Sequence, residues 1–126
     1  MKAKITLGKT PETFKPATVH FELPDGSKGA IEVTYKYRTR EQYGEFVDQT
    51  AQSVHDAIVG GTGVASTITA GITSDAEMLV GCVASWDLGE PVTAEVARQL
   101  SNEYPAVVNA LLGGYRRVIA EGHLGN

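Results

Sequence analysis

His20, His55 and His123 are the only imidazoles of the chain, and no two of them lie within one helical turn. Cys82 is the only cysteine and has no CxxC partner. Zinc needs three or four such ligands at short, regular spacings, so no metal site is expected. A lone thiol inside an apolar run, between Gly81 and Val83, reads as a buried and inert group rather than a nucleophile. Ser85 and Asp87 lie close together but lack the G-x-S-x-G setting of a nucleophile elbow. Gly60-Gly61-Thr62-Gly63 matches neither the GxxxxGK[ST] nor the GxGxxG spacing that cradles phosphates. Asp and Glu are spread along the sequence with no singled-out pair for acid–base work. The chain is therefore read as non-enzymatic, with no cofactor and no metal.

Trp86, the only tryptophan, is what remains. It has two compatible readings: a core residue packed among three helices, or an aromatic anchor at an interface, where such residues concentrate binding energy. Tyr104, Val108 and Tyr115 share its C-terminal region, and with Trp86 they form the candidate partner-binding set. A net charge of −4 over 126 residues, with lysines and arginines scattered, speaks against nucleic acid and against a polybasic membrane surface. No segment approaches the roughly 18 apolar residues of a membrane span.

Residues 1–16 read as a basic extended arm, with a short strand over Lys4–Leu7. Ala17, Val19, Phe21 and Leu23 alternate with Thr18, His20 and Glu22, the two-residue period of a half-buried strand. Pro24-Asp25-Gly26-Ser27-Lys28 supplies a turn. Ile31, Val33, Tyr35 and Tyr37 alternate again. A two-residue Asp25-Gly26 turn would set Val19 against Glu32. An odd-length loop or bulge is expected instead, with Phe21 opposite Ile31 and Val19 opposite Val33. The single apolar face of this hairpin needs a cover, and the first helix is its expected partner.

Thr39 and Gln42 fit a capping box opening a helix over 39–58, with Tyr43, Phe46, Val47, Ala51 and Val54 on one stripe. Residues 59–72, rich in glycine, serine and threonine, read as a flexible loop. Ser74-Asp75-Ala76-Glu77 reads as a second capping box, opening a helix that carries Leu79, Cys82, Val83 and Trp86 and ends near Ser85 or Trp86. Thr93 caps a short helix to Asn102. Pro105 opens a final helix with Val108, Leu111, Leu112, Tyr115, Val118 and Ile119 inward and Gly122 as terminator. The expected class is α+β in one domain: an N-terminal antiparallel hairpin or small sheet followed by about four helices, with a C-terminal helical part over 73–126.

Trp86-Asp87-Leu88, Val92-Thr93-Ala94-Glu95 opening a helix, Asn102-Glu103-Tyr104-Pro105, and a last helix carrying Leu111 and Tyr115 together resemble the tail assembly chaperones of long-tailed bacteriophages. The Phe21-Glu22-Leu23-Pro24-Asp25-Gly26 turn resembles that family more loosely. The resemblance implies a protein of the infected host's cytoplasm, absent from the mature virion. It would bind the tape-measure protein, keep it soluble, and promote polymerisation of the tail-tube protein around it, with self-association. The resemblance also implies a longer, frameshifted product extending beyond Asn126. The alternative is a structural virion subunit, a tail-tube or head–tail joining protein.

Overall fold

The structure is a computed structural model and describes residues 4–59 and 63–122. Alternation and turn chemistry produce strands β1 (Ala17–Glu22) and β2 (Lys28–Tyr35), followed by helices α1 (Arg40–Val59) and α2 (Val64–Cys82). A third strand, β3 (Val83–Trp86), precedes α3 (Ala94–Glu103) and α4 (Pro105–Glu121). The sheet is antiparallel in the order β1-β2-β3. The α+β class expected from the sequence is thus observed, with a three-stranded sheet and four helices.

Local signals set most boundaries. Thr39 N–H donates to Gln42 Oε1 at 2.9 Å and Gln42 N–H to Thr39 Oγ1 at 3.2 Å, the reciprocal bonds of a capping box. Thr93 Oγ1 accepts from Val96 N–H at 3.2 Å. Pro105 occupies the first turn of α4, and Gly122 ends it in the left-handed region at φ 84°.

The hairpin keeps apolar against apolar, but its register lies two residues from the expected one. Val19 faces Ile31 and Ala17 faces Val33, while Phe21 faces Gly29. The turn takes five residues, with Leu23 N–H donating to Ser27 O and Gly26 N–H to Leu23 O, each at 2.8 Å. Asp25 Oδ1 accepts from the Ser27 hydroxyl at 2.6 Å and its N–H at 2.9 Å, which holds the Asp25 carboxyl below its ordinary pKa. Side-chain shape also favours this register. A Cβ on Gly29 would stand 2.6 Å from Phe21 Cε1, so the ring lies where glycine leaves room.

Three expectations are corrected in the middle of the chain. The loop expected over 59–72 is helical from Val64 onward. Its threonines and Gly71 carry a helix-propensity deficit below about 1 kcal/mol per residue; Ala70 is the buried residue of this first part, and the later turns of α2 bury Ala76, Leu79 and Cys82. Ser74-Asp75-Ala76-Glu77 consequently lies inside α2 and caps nothing. Its polar groups tie helices together instead: Asp75 Oδ2 accepts from Ser101 Oγ at 2.8 Å, and neighbouring Thr73 Oγ1 accepts from Arg98 at 2.5 Å. The helix stops at Cys82, whose carbonyl accepts from Lys36 N–H at 2.8 Å, and Val83–Trp86 becomes an edge strand on β2. Trp86 is therefore a strand residue and not the end of a helix.

The sheet's apolar face is covered by α4 and not by α1, the partner expected from the sequence. The stripes explain why. Val107, Val108, Leu111, Tyr115 and Val118 of α4 are all buried, whereas Tyr43, Phe46, Val47 and Val54 of α1 are only half-buried. α1 leans on α2, with a smaller contact on α4. Tyr35 links sheet and helix, its hydroxyl donating to Leu111 O at 2.5 Å and its ring 5.2 Å from that of Tyr115. Burial raises the pKa of the Tyr35 phenol, as it does that of Tyr115, where Arg38 opposes the shift.

No strand forms over Lys4–Leu7. The arm joins the sheet further on, where Thr13 bridges Lys36, Phe14 N–H donates to Tyr35 O and Tyr37 N–H to Glu12 O. Phe14, buried beside Tyr37, is the apolar residue that fastens it.

Gly81 meets Phe46 where α1 crosses α2. A Cβ there would lie 2.7 Å from Phe46 Cζ, and that ring is held by the Arg38 guanidinium 3.9 Å above it and by the Tyr115 ring edge-on. Gly81→Ala is expected to destabilise the fold, because overpacking costs about 1–3 kcal/mol while the helix-propensity gain is at most about 1 kcal/mol. Denaturant unfolding reads the sign.

Candidate functional site

The Trp86–Glu90 loop builds the site. Trp86 Nε1–H donates to Glu90 O at 2.7 Å and closes the loop on itself. Asp87 Oδ1 accepts from Glu32 N–H at 2.9 Å, and Asp87 N–H donates to Glu32 O at 3.1 Å, which clamps the loop to β2. Gly89 takes φ 89°, a left-handed turn open to glycine. Leu88, between clamp and turn, is held against the outer end of the hairpin.

There it lines an open groove of about 560 Å³. Phe21 and Leu23 form one wall, with Ile31 behind them. Val96, Leu100 and Tyr104 of the α3–α4 corner form the other, with Val107 at its base. Asp87, Glu90 and Glu103 are its charged residues, and its lining holds no lysine, arginine, histidine or cysteine. An apolar trough bearing three carboxylates fits an apolar segment flanked by cations. It arranges no nucleophile beside a base.

The four candidate residues do not converge on one surface. Tyr104 is exposed and lines the groove. Trp86 is half-buried and acts on the groove through the loop it closes. Val108 and Tyr115 are buried in the core, on the inward stripe expected of the last helix, and do not line the groove. Tyr115 is occupied there: its hydroxyl accepts from Arg38 and donates to Lys36 O, each at 3.0 Å. The groove's main apolar residues were not among the four. Leu88 carried a readable signal, as the one apolar side chain in the Asp87–Glu90 stretch. Phe21 and Leu23 carried another, at the far end of a strand whose apolar face continues to the turn. A further apolar surface lies on the first half of α2, where Val64 and Ile68 are exposed.

Trp86→Phe keeps most of the ring and deletes the indole N–H. It is expected to cost about 0.5–1.5 kcal/mol of unfolding free energy, the value of one hydrogen bond, measurable by urea titration. Cys82 is fully buried, and burial pushes its thiol up to about 12. The thiolate is the reactive form. Cys82 is accordingly expected to resist alkylation at pH 8 in the native state and to react on unfolding, which mass spectrometry reads. His20 and His55 are exposed on β1 and α1, and His123 lies outside the described residues. Among the described residues, no three His, Cys, Asp or Glu side chains gather as a metal site would require.

A family model described as phage tail assembly chaperone matches residues 1–126, the full length of the sequence. The chain belongs to this family. No curated protein matches it, and no solved structure matches it. The family resemblance read from the Trp86-Asp87-Leu88 and Asn102–Pro105 segments is thereby borne out. In this tail assembly chaperone those segments form the loop and the helix corner that flank the groove. No helix among the described residues is long and apolar enough to cross a membrane.

Proposed function

We propose that this chaperone binds the tape-measure protein of its phage, keeps it soluble in the host cytoplasm, and yields it as tail-tube subunits polymerise around it. The acid-lined apolar groove carries this reading. A long helical protein waiting for its tube exposes apolar stripes that aggregate. A trough reading apolar anchors at three- and four-residue steps covers such stripes. Many copies holding one client through individually weak contacts combine avidity with reversibility. Release then comes from competition by tube protein and requires no catalytic step.

Co-expression with the tape-measure protein encoded beside this gene tests the reading. Soluble client recovered with this chain, and lost without it, is the expected result. A client equally soluble alone, or insoluble in both cases, overturns it. Finding this chain in purified particles would favour a structural virion subunit.

A further inference from the structure

We propose that the groove also accepts the N-terminal arm of a second copy of this chain, so that neighbouring copies join arm to groove. The proposal rests on the groove being the docking surface named above. It adds the occupant that covers that surface before a client arrives.

The arm and the groove have complementary chemistry. Ile5 and Leu7 are 77% and 94% exposed, the two most exposed large apolar residues described. They are two residues apart, so the arm presents both on one side once the Thr6–Lys9 turn opens and it extends along a neighbour. Lys4 and Lys9 flank them, and no carboxylate lies between. The groove offers the converse: apolar walls at Phe21, Leu88 and Tyr104, with Asp87, Glu90 and Glu103 and no cation among its lining residues.

Connectivity favours a neighbour's arm over the chain's own. The arm leaves the sheet where Thr13 bridges Lys36, at the opposite end of β2 from Gly29 and Ile31 in the groove. At about 3.4 Å per residue, the path along β2 from Lys36 to Gly29 is about 24 Å. To reach back that far, the arm would need almost full extension. It is instead folded by a turn in which Lys9 N–H donates to Thr6 O at 3.1 Å. A second copy meets no such length limit. Each chain carries one arm and one groove, so the association is head-to-tail and propagates into rings or open chains. A client must then displace the arm, which makes client binding and self-association compete.

Sedimentation velocity of the full chain across concentration and salt tests this. Lys4→Glu/Lys9→Glu reverses the arm, and Glu90→Lys/Glu103→Lys reverses the groove; all four positions are exposed, so both variants should fold. Each variant alone is expected to self-associate about tenfold more weakly than the wild type or worse. Mixing the two is expected to restore association, because the wild-type arm of the groove variant meets the wild-type groove of the arm variant. Combining both reversals in one chain is expected to restore it too, because the reversed arm fits the reversed groove. Ile5→Ser/Leu7→Ser is expected to weaken association, and adding the groove reversal to the same chain is expected not to restore it. A wild type that is monomeric at every concentration overturns the proposal, as do charge variants that associate normally or a mixture that recovers nothing. A monomeric chain that still recovers soluble tape-measure protein refutes arm exchange and leaves client binding standing. Arm-dependent association without client recovery does the reverse.

Discussion

Leu111→Ala is expected to lower the unfolding free energy by about 2–5 kcal/mol, the range for emptying a buried leucine site. Leu111 is fully buried on α4, and its carbonyl accepts the Tyr35 hydroxyl at 2.5 Å. The residue therefore stands at the point where sheet and helix are joined by both packing and a hydrogen bond. Removing its side chain opens space beneath Tyr35, whose ring is also fixed against Tyr115. The surroundings have little freedom to collapse into the gap, which places the expected loss toward the upper part of that range. Leu7→Ala removes the same atoms from a side chain that is 94% exposed, and is expected to leave stability within about 0.5 kcal/mol. Parallel denaturant titrations of both variants decide the matter. Similar values for the two would mean that α4 is not the helix that covers the sheet.

Leu88→Asp is expected to abolish client recovery while leaving the fold intact. Leu88 is half-buried at the edge of the core, and the loop holding it is fixed independently by the Trp86 and Asp87 hydrogen bonds. The substitution removes an apolar wall residue and adds a carboxylate to a trough that already has three. A central apolar contact at an interface is worth about 2 kcal/mol or more, roughly thirtyfold in affinity. Pull-down of co-expressed tape-measure protein, with circular dichroism and a melting curve as the check on folding, measures the effect. Undiminished recovery by a folded Leu88→Asp variant would show that the client docks elsewhere. The exposed face of α2 at Val64 and Ile68 would be the next surface to alter.

The motif residues that carry the family resemblance are packing and turn residues. Trp86 closes a loop, Asp87 clamps it, Thr93 caps α3, and Pro105 opens α4. Together they set the shape of one trough. Leu88 and Tyr104, which the trough exposes, are placed by these neighbours.

The sequence by itself determined the features whose physics is local. The two alternating strands, the Thr39–Gln42 box, the Thr93 cap, Pro105 at the start of α4 and Gly122 at its end depend on side chains within a few residues of one another. Only the tertiary structure decided the remainder. Val83–Trp86 is too short an apolar run to separate strand from helix, and pairing with β2 settled it. Residues 64–72 have weak helical propensity, yet they form the first turns of α2, with Ala70 the buried residue among them. The two-residue shift of the hairpin came from Phe21 finding space over Gly29. The groove was out of reach for the same reason: its walls come from β1, the Trp86–Glu90 loop and the α3–α4 corner, which are distant in sequence and meet only once α4 has covered the sheet.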